Sequence, residues 1–241
     1  MDDSILYLSR AQVENVCDSI DATAVIREVF RFHGSGMTNL PEEAYLSWRN
    51  TAGDPVRSLN MPGYVSAPFN AAGTKIINGN PANIALGLPR ASGLTLLFDV
   101  ESTRIVCVMD AAHVSALRTA SVTMLCAELF KDYDVQTAGI IGAGAIAAAH
   151  VRTFPKHLKN LRRICIYDHS VEAAKRLALE ARDWFTSGDI VIEVSESPED
   201  AVRDADLVIP ATTTTVGYIP FEWLKRGALV VHISLDDVLP D

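Results

Sequence analysis

The spacing of hydrophobic positions changes character near residue 111. Before that point, short apolar runs broken by Gly, Pro and Asn cover 45–49, 57–65, 73–78 and 93–98, and then Arg104-Ile-Val-Cys-Val-Met109. Such runs predict strands, and several in succession with few helices predict a largely antiparallel sheet. Ahead of them lies a short apolar run, Ile5-Leu-Tyr-Leu8. Two helices should follow it. Ser9 caps the first, which carries Val13 and Val16. Asp21 caps the second, 22–33, with Val25, Ile26, Val29 and Phe30 on one stripe, and Gly34 and Gly36 stop it.

Beyond residue 111 the pattern becomes an alternation. A helix is predicted from about Ala112 to Leu129. Strands at 137–141, 163–167, 190–194, 206–210 and 228–233 then alternate with helices at 144–157, 171–185, 198–204 and 221–225. Strand–helix alternation predicts a parallel sheet covered on both faces. The expected fold class is α/β, a Rossmann NAD-binding domain plus a sheet-rich α+β domain. The boundary falls within 110–132 and divides the chain into 1–115 and 116–241.

Composition narrows the classes. A chain of 241 residues that is 49% hydrophobic can bury one large core or two modest ones. With 21% charged residues it is not a disordered chain. A net charge of −9 argues against nucleic-acid and anionic-membrane partners. The start, Met-Asp-Asp-Ser, lacks an apolar run, so no secretory leader is expected. No apolar stretch reaches the roughly 18 residues of a membrane span, so a cytoplasmic protein is expected. Cys17, Cys107, Cys126 and Cys165 are scattered, without Cys-x-x-Cys pairs or zinc-type histidine spacing. Reduced thiols and no metal site follow.

The chemistry begins at the glycines. The strand 137–141 runs into Gly142-Ala-Gly-Ala-Ile-Ala147 and then into a helical pattern. In this Gly-x-Gly-x-x-Ala, Gly142 permits a tight turn, Gly144 lets backbone approach a pyrophosphate, and Ala147 keeps helix close to strand. The phosphate would sit at the helix N-terminus, where free N–H groups and the dipole attract it. The next strand ends at Asp168, which lies 24 residues after Gly144. A carboxylate there accepts ribose hydroxyls and repels a 2′-phosphate, and His169 and Ser170 supply no arginine to reverse this. NAD is therefore the expected cofactor. Asp168 is alternatively the cap of helix 171–185, a task open equally to Ser170. Thr212, past the strand 206–210, is a candidate for the ribose or nicotinamide side, or part of an ordinary threonine-rich turn.

Three basic residues are candidates for a substrate anion. Arg57 and Lys75 lie on expected strands. Arg118 lies on the expected helix and shares a stripe with Val122, Leu125 and Leu129, which reads as core-facing. A cation on an apolar face needs a counter-anion, and a substrate carboxylate would serve. A structural salt bridge or a snorkelling side chain is the alternative. Asp236 and Asp237 follow the strand 228–233, at the end where parallel sheets bind ligands. They are acid–base candidates or, alternatively, parts of a solvated capping loop.

Together, Arg57-Ser-Leu-Asn-Met-Pro62, Gly73-Thr-Lys75, Ser115-Ala-Leu-Arg-Thr119, Gly142–Ala147 and the aspartates after Ile233 resemble the ornithine cyclodeaminase/mu-crystallin family. They span most of the chain. The resemblance implies that Arg57 and Arg118 hold a substrate carboxylate, while Lys75 and an aspartate perform acid–base steps beside the nicotinamide. It implies cofactor contacts from Gly142, Gly144, Ala145, Ile146 and Ala147, with Asp168, Thr119 and Thr212. A homodimer built through the first domain is also implied. Asn80–Ser92 and Ile233–Pro240 look more like the branch of N-(2-amino-2-carboxyethyl)-L-glutamate dehydrogenases, which supplies 2,3-diaminopropionate to siderophores and antibiotics. Cyclodeaminases carry Gly-x-Asp-x-Pro-Gly-Lys where this chain has Ser234-Leu-Asp-Asp-Val-Leu-Pro240. Alignment on cyclodeaminases makes Asp236 the acid, and alignment on the other branch makes it Asp237. The family's chains run on beyond the equivalent of Asp241, which implies either a partial chain or an unusual member. The implied function is NAD-dependent oxidation of an amino-acid C–N bond. The rivals are a cyclodeaminase and a mu-crystallin-like ligand binder.

Overall fold

The computed structural model describes residues 4–185 and 190–240, so the readings placed on Met1–Asp3 and Asp241 lie outside the described residues. The chain divides into two units, Met1–Ser115 and Ala116–Asp241.

In the first unit, β1 (Leu6–Leu8) precedes α1 (Arg10–Asp18) and α2 (Ala22–Gly34). Ser9 opens α1 with its N–H donating to Gln12 Oε1 at 2.9 Å, and Asp21 caps α2 by accepting the Ala24 N–H at 3.1 Å. Strands β2 (Thr38–Asn39), β3 (Ala44–Arg49), β4 (Pro55–Val65), β5 (Ala71–Gly79), β6 (Ala91–Phe98) and β7 (Ile105–Asp110) follow. Among the described residues they form a seven-stranded sheet in the order β1-β7-β6-β5-β4-β2, with β3 also on β4. Every pair is antiparallel except β1–β7. Two elements were not expected: β2, only two residues long, and a 3-10 turn at Pro81–Leu86. That turn begins where the Asn80 side chain accepts the Ala82 N–H, with a proline ready-set for the first helical position.

The helix α3 (Ala112–Lys131) runs across the boundary. The second unit then alternates as expected: β8 (Thr137–Ile141), α4 (Ala145–His157), β9 (Arg163–Tyr167), α5 (Val171–Arg182), β10 (Val191–Val194), α6 (Pro198–Val202), β11 (Leu207–Pro210) and β12 (Leu229–Val230). The sheet order is β10-β9-β8-β11-β12 and all pairs are parallel. Its strands are apolar on both faces. Ile140, Ile164, Ile166, Leu207 and Ile209 pack with Phe154, Leu177 and Met124, while Ile141, Cys165 and Val208 pack with Ala201 and Val202. Burial on both sides is why these strands read as continuous hydrophobic runs. Asp206 ties the bottom of the sheet together. Burial alone would raise its pKa, but Lys225 Nζ at 2.5 Å and the N–H groups of Thr137 and Gln136 at 2.9 Å outweigh that and lower it.

Several expectations need correcting. The helix at 221–225 is a 3-10 turn, Phe221–Trp223. The helices at 171–185 and 198–204 end at Arg182 and Val202. The strand at 228–233 pairs only through Leu229 and Val230. Among the described residues β12 has a single neighbour; beyond it the Val231 N–H still donates to the Val208 carbonyl at 2.9 Å, and Ile233 packs against the core. The stripe of α3 expected to hold Arg118 inward is also wrong. Leu125 is buried, but Arg118 and Leu129 are exposed, and the packed stripe is Ala120, Met124 and Ala127. α3 is apolar nearly all round, so spacing alone does not select its inward face.

Candidate active site

In the second unit the strand order reverses between β8 and β11. Open α/β sheets bind ligands at such a switch point, beyond the carboxyl ends of the strands. Gly142 stands there. Its φ is +94°, and a Cβ on it would lie 2.6 Å from the Ala211 carbonyl oxygen just past β11. Only glycine satisfies both the left-handed backbone and the close approach. Gly144 is different. It caps α4 in extended geometry, and nothing lies within 4 Å of where its Cβ would be. The N-terminus of α4, with exposed Ala145 and half-buried Ile146, therefore opens on free space, while buried Ala147 keeps the helix on the sheet. This cradle fits a pyrophosphate.

Asp168 reaches back from the end of β9 to the same loop. Its Oδ2 accepts the Ala143 N–H at 2.7 Å and its Oδ1 the Ser170 N–H at 2.8 Å. Ser170, not Asp168, caps α5, with Oγ accepting the Ala173 N–H at 3.2 Å. The half-buried carboxylate thus stands at the rim of the glycine cradle, where a ribose would lie.

A second constellation gathers around Asp237, which is fully buried. Thr212 Oγ1 donates to its Oδ1 at 2.6 Å and the Tyr218 hydroxyl to the same oxygen at 3.3 Å. Ser234 donates to Oδ2, and the Asp237 N–H donates to His232 Nε2 at 3.0 Å. Sequence reading named Thr212 and Asp237 separately and did not join them; Tyr218, Ser234 and His232 it missed, having no spacing signal. Burial and then the Asp237 carboxylate push the Tyr218 phenol pKa up. Asp236 is exposed and makes no hydrogen bond among the described residues. Leu235 adopts a φ of +74°, the left-handed region that favours glycine.

α3 and α4 share a buried polar contact that the sequence also did not announce. His150 donates Nδ1–H to the Ile146 carbonyl at 2.7 Å, which leaves Nε2 to accept the Thr123 hydroxyl at 2.8 Å. Burial lowers its pKa to about 4. Thr119 lies half-buried one turn ahead of Thr123.

In the first unit, the register sets Arg57 opposite Gly79, and Lys75 opposite Met61 and Thr95. Arg57 and Lys75 therefore stand on one face of the sheet, separated by four residues, about 13 Å, along β5. Lys75 Nζ donates to Ser115 Oγ at 3.2 Å, in the first turn of α3. Arg118 follows Ser115 one turn along that helix. Arg57 and Arg118 are exposed, and neither guanidinium makes a hydrogen bond or ion pair among the described residues.

All four cysteines are free thiols. Among the described residues, no three His, Cys, Asp or Glu side chains gather as a metal site, and no helix is long and apolar enough to cross a membrane.

Comparison with known proteins agrees with this geometry. The description of the ornithine cyclodeaminase/mu-crystallin family matches residues 4–238. The N-((2S)-2-amino-2-carboxyethyl)-L-glutamate dehydrogenase of Staphylococcus aureus is 27% identical, over 99% of this chain and 71% of that protein. The crystal structure of CmnK is similar at a TM-score of 0.89 and 33% identity, covering 98% of this chain and 70% of that one. An archaeal alanine dehydrogenase dimer with bound NAD is similar at a TM-score of 0.79 and 25% identity, covering 94% and 66%.

Proposed function

The chain belongs to the ornithine cyclodeaminase/mu-crystallin family, and from that premise we infer that it is an NAD-dependent oxidoreductase acting on an amino-acid C–N bond. The observation that carries the reading is the open cradle at Gly144, set at the switch point with the Asp168 carboxylate on its rim. Backbone N–H groups of Gly144, Ala145 and Ile146 would hold the pyrophosphate, and Asp168 the ribose hydroxyls that distinguish NAD from NADP. The nicotinamide supplies a hydride acceptor when bound.

The chain's own residues account for the rest. Arg57 and Arg118, without counter-anions among the described residues, bind substrate carboxylates. Lys75, placed at Ser115, hydrogen-bonds the carboxylate or the attacking water. An aspartate removes a proton from that water, which adds to the substrate imine and releases a 2-oxo acid and an amine. The hydrogen bonds that Thr212, Ser234 and Tyr218 donate to the Asp237 carboxylate support Asp237 in this role. The preferred substrate is an N-(carboxyalkyl) amino acid, giving 2-oxoglutarate and 2,3-diaminopropionate from the glutamate derivative.

We read the protein as a homodimer, as the alanine dehydrogenase neighbour is. β3 exposes Leu46 and Trp48 on one face, apolar surface that a second copy would cover.

Incubation with NAD and a panel of amino acids and N-(carboxyalkyl) amino acids tests the reaction. Stoichiometric NADH is the expected result. Substrate loss without NADH would mark a cyclodeaminase, and NADH binding without any turnover a ligand-binding protein.

A further inference from the structure

The buried contact between His150 of α4 and Thr123 of α3 has no part in the reaction described so far. His150 is fully buried, and its neighbours along α4, Ala147, Val151 and Phe154, are apolar and buried too. They share one apolar cluster with Met124 and Ala127 of α3. An apolar side chain at 150 would complete such a contact without the desolvation that an imidazole suffers. Burial lowers the His150 pKa to about 4, so the ring stays neutral and keeps one nitrogen as an acceptor.

The bonds of the ring show what it fixes. Nδ1–H donates to the Ile146 carbonyl at 2.7 Å, and Nε2 accepts the Thr123 hydroxyl at 2.8 Å. The Ile146 carbonyl does not need this donor, because within the helix it already receives the backbone N–H four residues on. The imidazole bond is an addition, and its effect is to fix the ring between the first turn of α4 and one point on α3. That turn has little else to hold it. Gly144 and Ala145 are exposed, Ile146 is only half-buried, and Ala147, Ala148 and Ala149 offer single methyl groups. Small residues let a ligand approach, but they pack weakly. His150 is the first large side chain after the glycine loop that is fully buried. Its partner Thr123 lies one turn beyond Thr119, and Arg118 precedes Thr119 on the same helix.

We propose that His150 is a positioning residue for the dinucleotide: through Thr123 it holds the phosphate-binding turn of α4 in register with the stretch of α3 that carries Arg118 and Thr119. A hydrogen bond is directional and an apolar contact is not. The pair therefore sets where the free N–H groups of Gly144, Ala145 and Ile146 stand before a ligand arrives. The inference rests on the dinucleotide reading of the cradle, and its test reads binding and not turnover.

Thr123→Val keeps the shape of the side chain and removes the hydroxyl. Fluorescence titration should find NADH bound about 3- to 10-fold more weakly, the range for one lost hydrogen bond. Thr123→Ser keeps the hydroxyl and should recover most of the affinity. Thr153→Val is the control. The Thr153 hydroxyl bonds within α4, to the His150 carbonyl at 2.7 Å, so this variant should bind NADH as the parent does. In a His150→Phe background, Thr123→Val should add nothing. Melting temperatures recorded beside each titration separate positioning from packing. A Thr123→Val protein that melts earlier but binds NADH like the parent would make the contact merely structural and overturn the proposal. So would a Thr123→Ser protein as weak as Thr123→Val. If the parent binds NADH and these differences are absent, only the positioning role fails; if the parent does not bind NADH, the dinucleotide reading fails with it.

Discussion

Asp168 accepts the backbone N–H of Ala143 at 2.7 Å, so the acid that follows β9 is anchored to the loop that follows β8. The bond places a negative charge at the edge of the phosphate cradle without any arginine beside it in sequence. Asp168→Ala should weaken NADH by about 10-fold or more while narrowing the gap to NADPH, because the ribose hydroxyl acceptor and the repulsion go together. Fluorescence titration of both cofactors against both proteins measures the two effects. A variant that binds NADH as tightly as the parent would refute the assignment.

Gly142 and Gly144 should respond oppositely to alanine. At Gly142 the added methyl meets the Ala211 carbonyl at 2.6 Å in a left-handed backbone, so Gly142→Ala should cost about 2 kcal/mol or more of stability. At Gly144 the methyl enters open space, and stability should change by no more than about 0.5 kcal/mol. NADH affinity should nevertheless fall, since the methyl occupies the approach to the pyrophosphate. Urea denaturation with NADH titration separates fold from site.

The neighbouring aspartates can be told apart by amide substitution. Asp237→Asn should abolish turnover, with an expected loss of at least about 100-fold, while exposed Asp236→Asn stays near the parent. Asp237 is buried under Thr212, Ser234 and Tyr218, so the melting temperature of Asp237→Asn must be recorded beside its rate. A folded, active Asp237→Asn together with an inactive Asp236→Asn would transfer the role.

His150 predicts a pH dependence of stability. Unfolded, the ring takes a proton near 6.5; folded, only near about 4. Between these values the unfolded chain holds more protons, so stability falls as the pH drops from about 6.5 to about 4 and is fully present above that window. The contribution is at most about 3 kcal/mol. Urea midpoints at pH 7.5 and pH 5 should converge more in His150→Gln than in the parent, and an identical pH response in both would rule the histidine out.

Cys165 should be unreactive in the native protein. Burial first, then the bond to Glu193 at 3.2 Å, pushes its thiol pKa up to about 12, leaving almost no thiolate at pH 8. Mass mapping after brief alkylation should find Cys165 unmodified until denaturant is added. Labelling before unfolding would contradict the burial.

What the sequence by itself determined was local and periodic. Strands 137–141 and 163–167 were read to the residue, because a sheet buried on both faces leaves continuous apolar runs between turn formers. Gly142-Ala-Gly-Ala-Ile-Ala147 was legible because tight turn and phosphate approach demand small residues at fixed spacing. Tertiary structure decided what depends on neighbours remote in the chain. The inward face of α3 could not be read from a helix apolar all round. That the last strand pairs only at Leu229 and Val230, with one neighbour among the described residues, was likewise decided by tertiary structure. Asp237 is joined to Thr212 by a hydrogen bond between two loops, and Arg57 is set opposite Gly79 by strand register. Polar partnerships between distant segments leave no period in a single sequence, because a hydrogen bond constrains positions in space and not their separation along the chain.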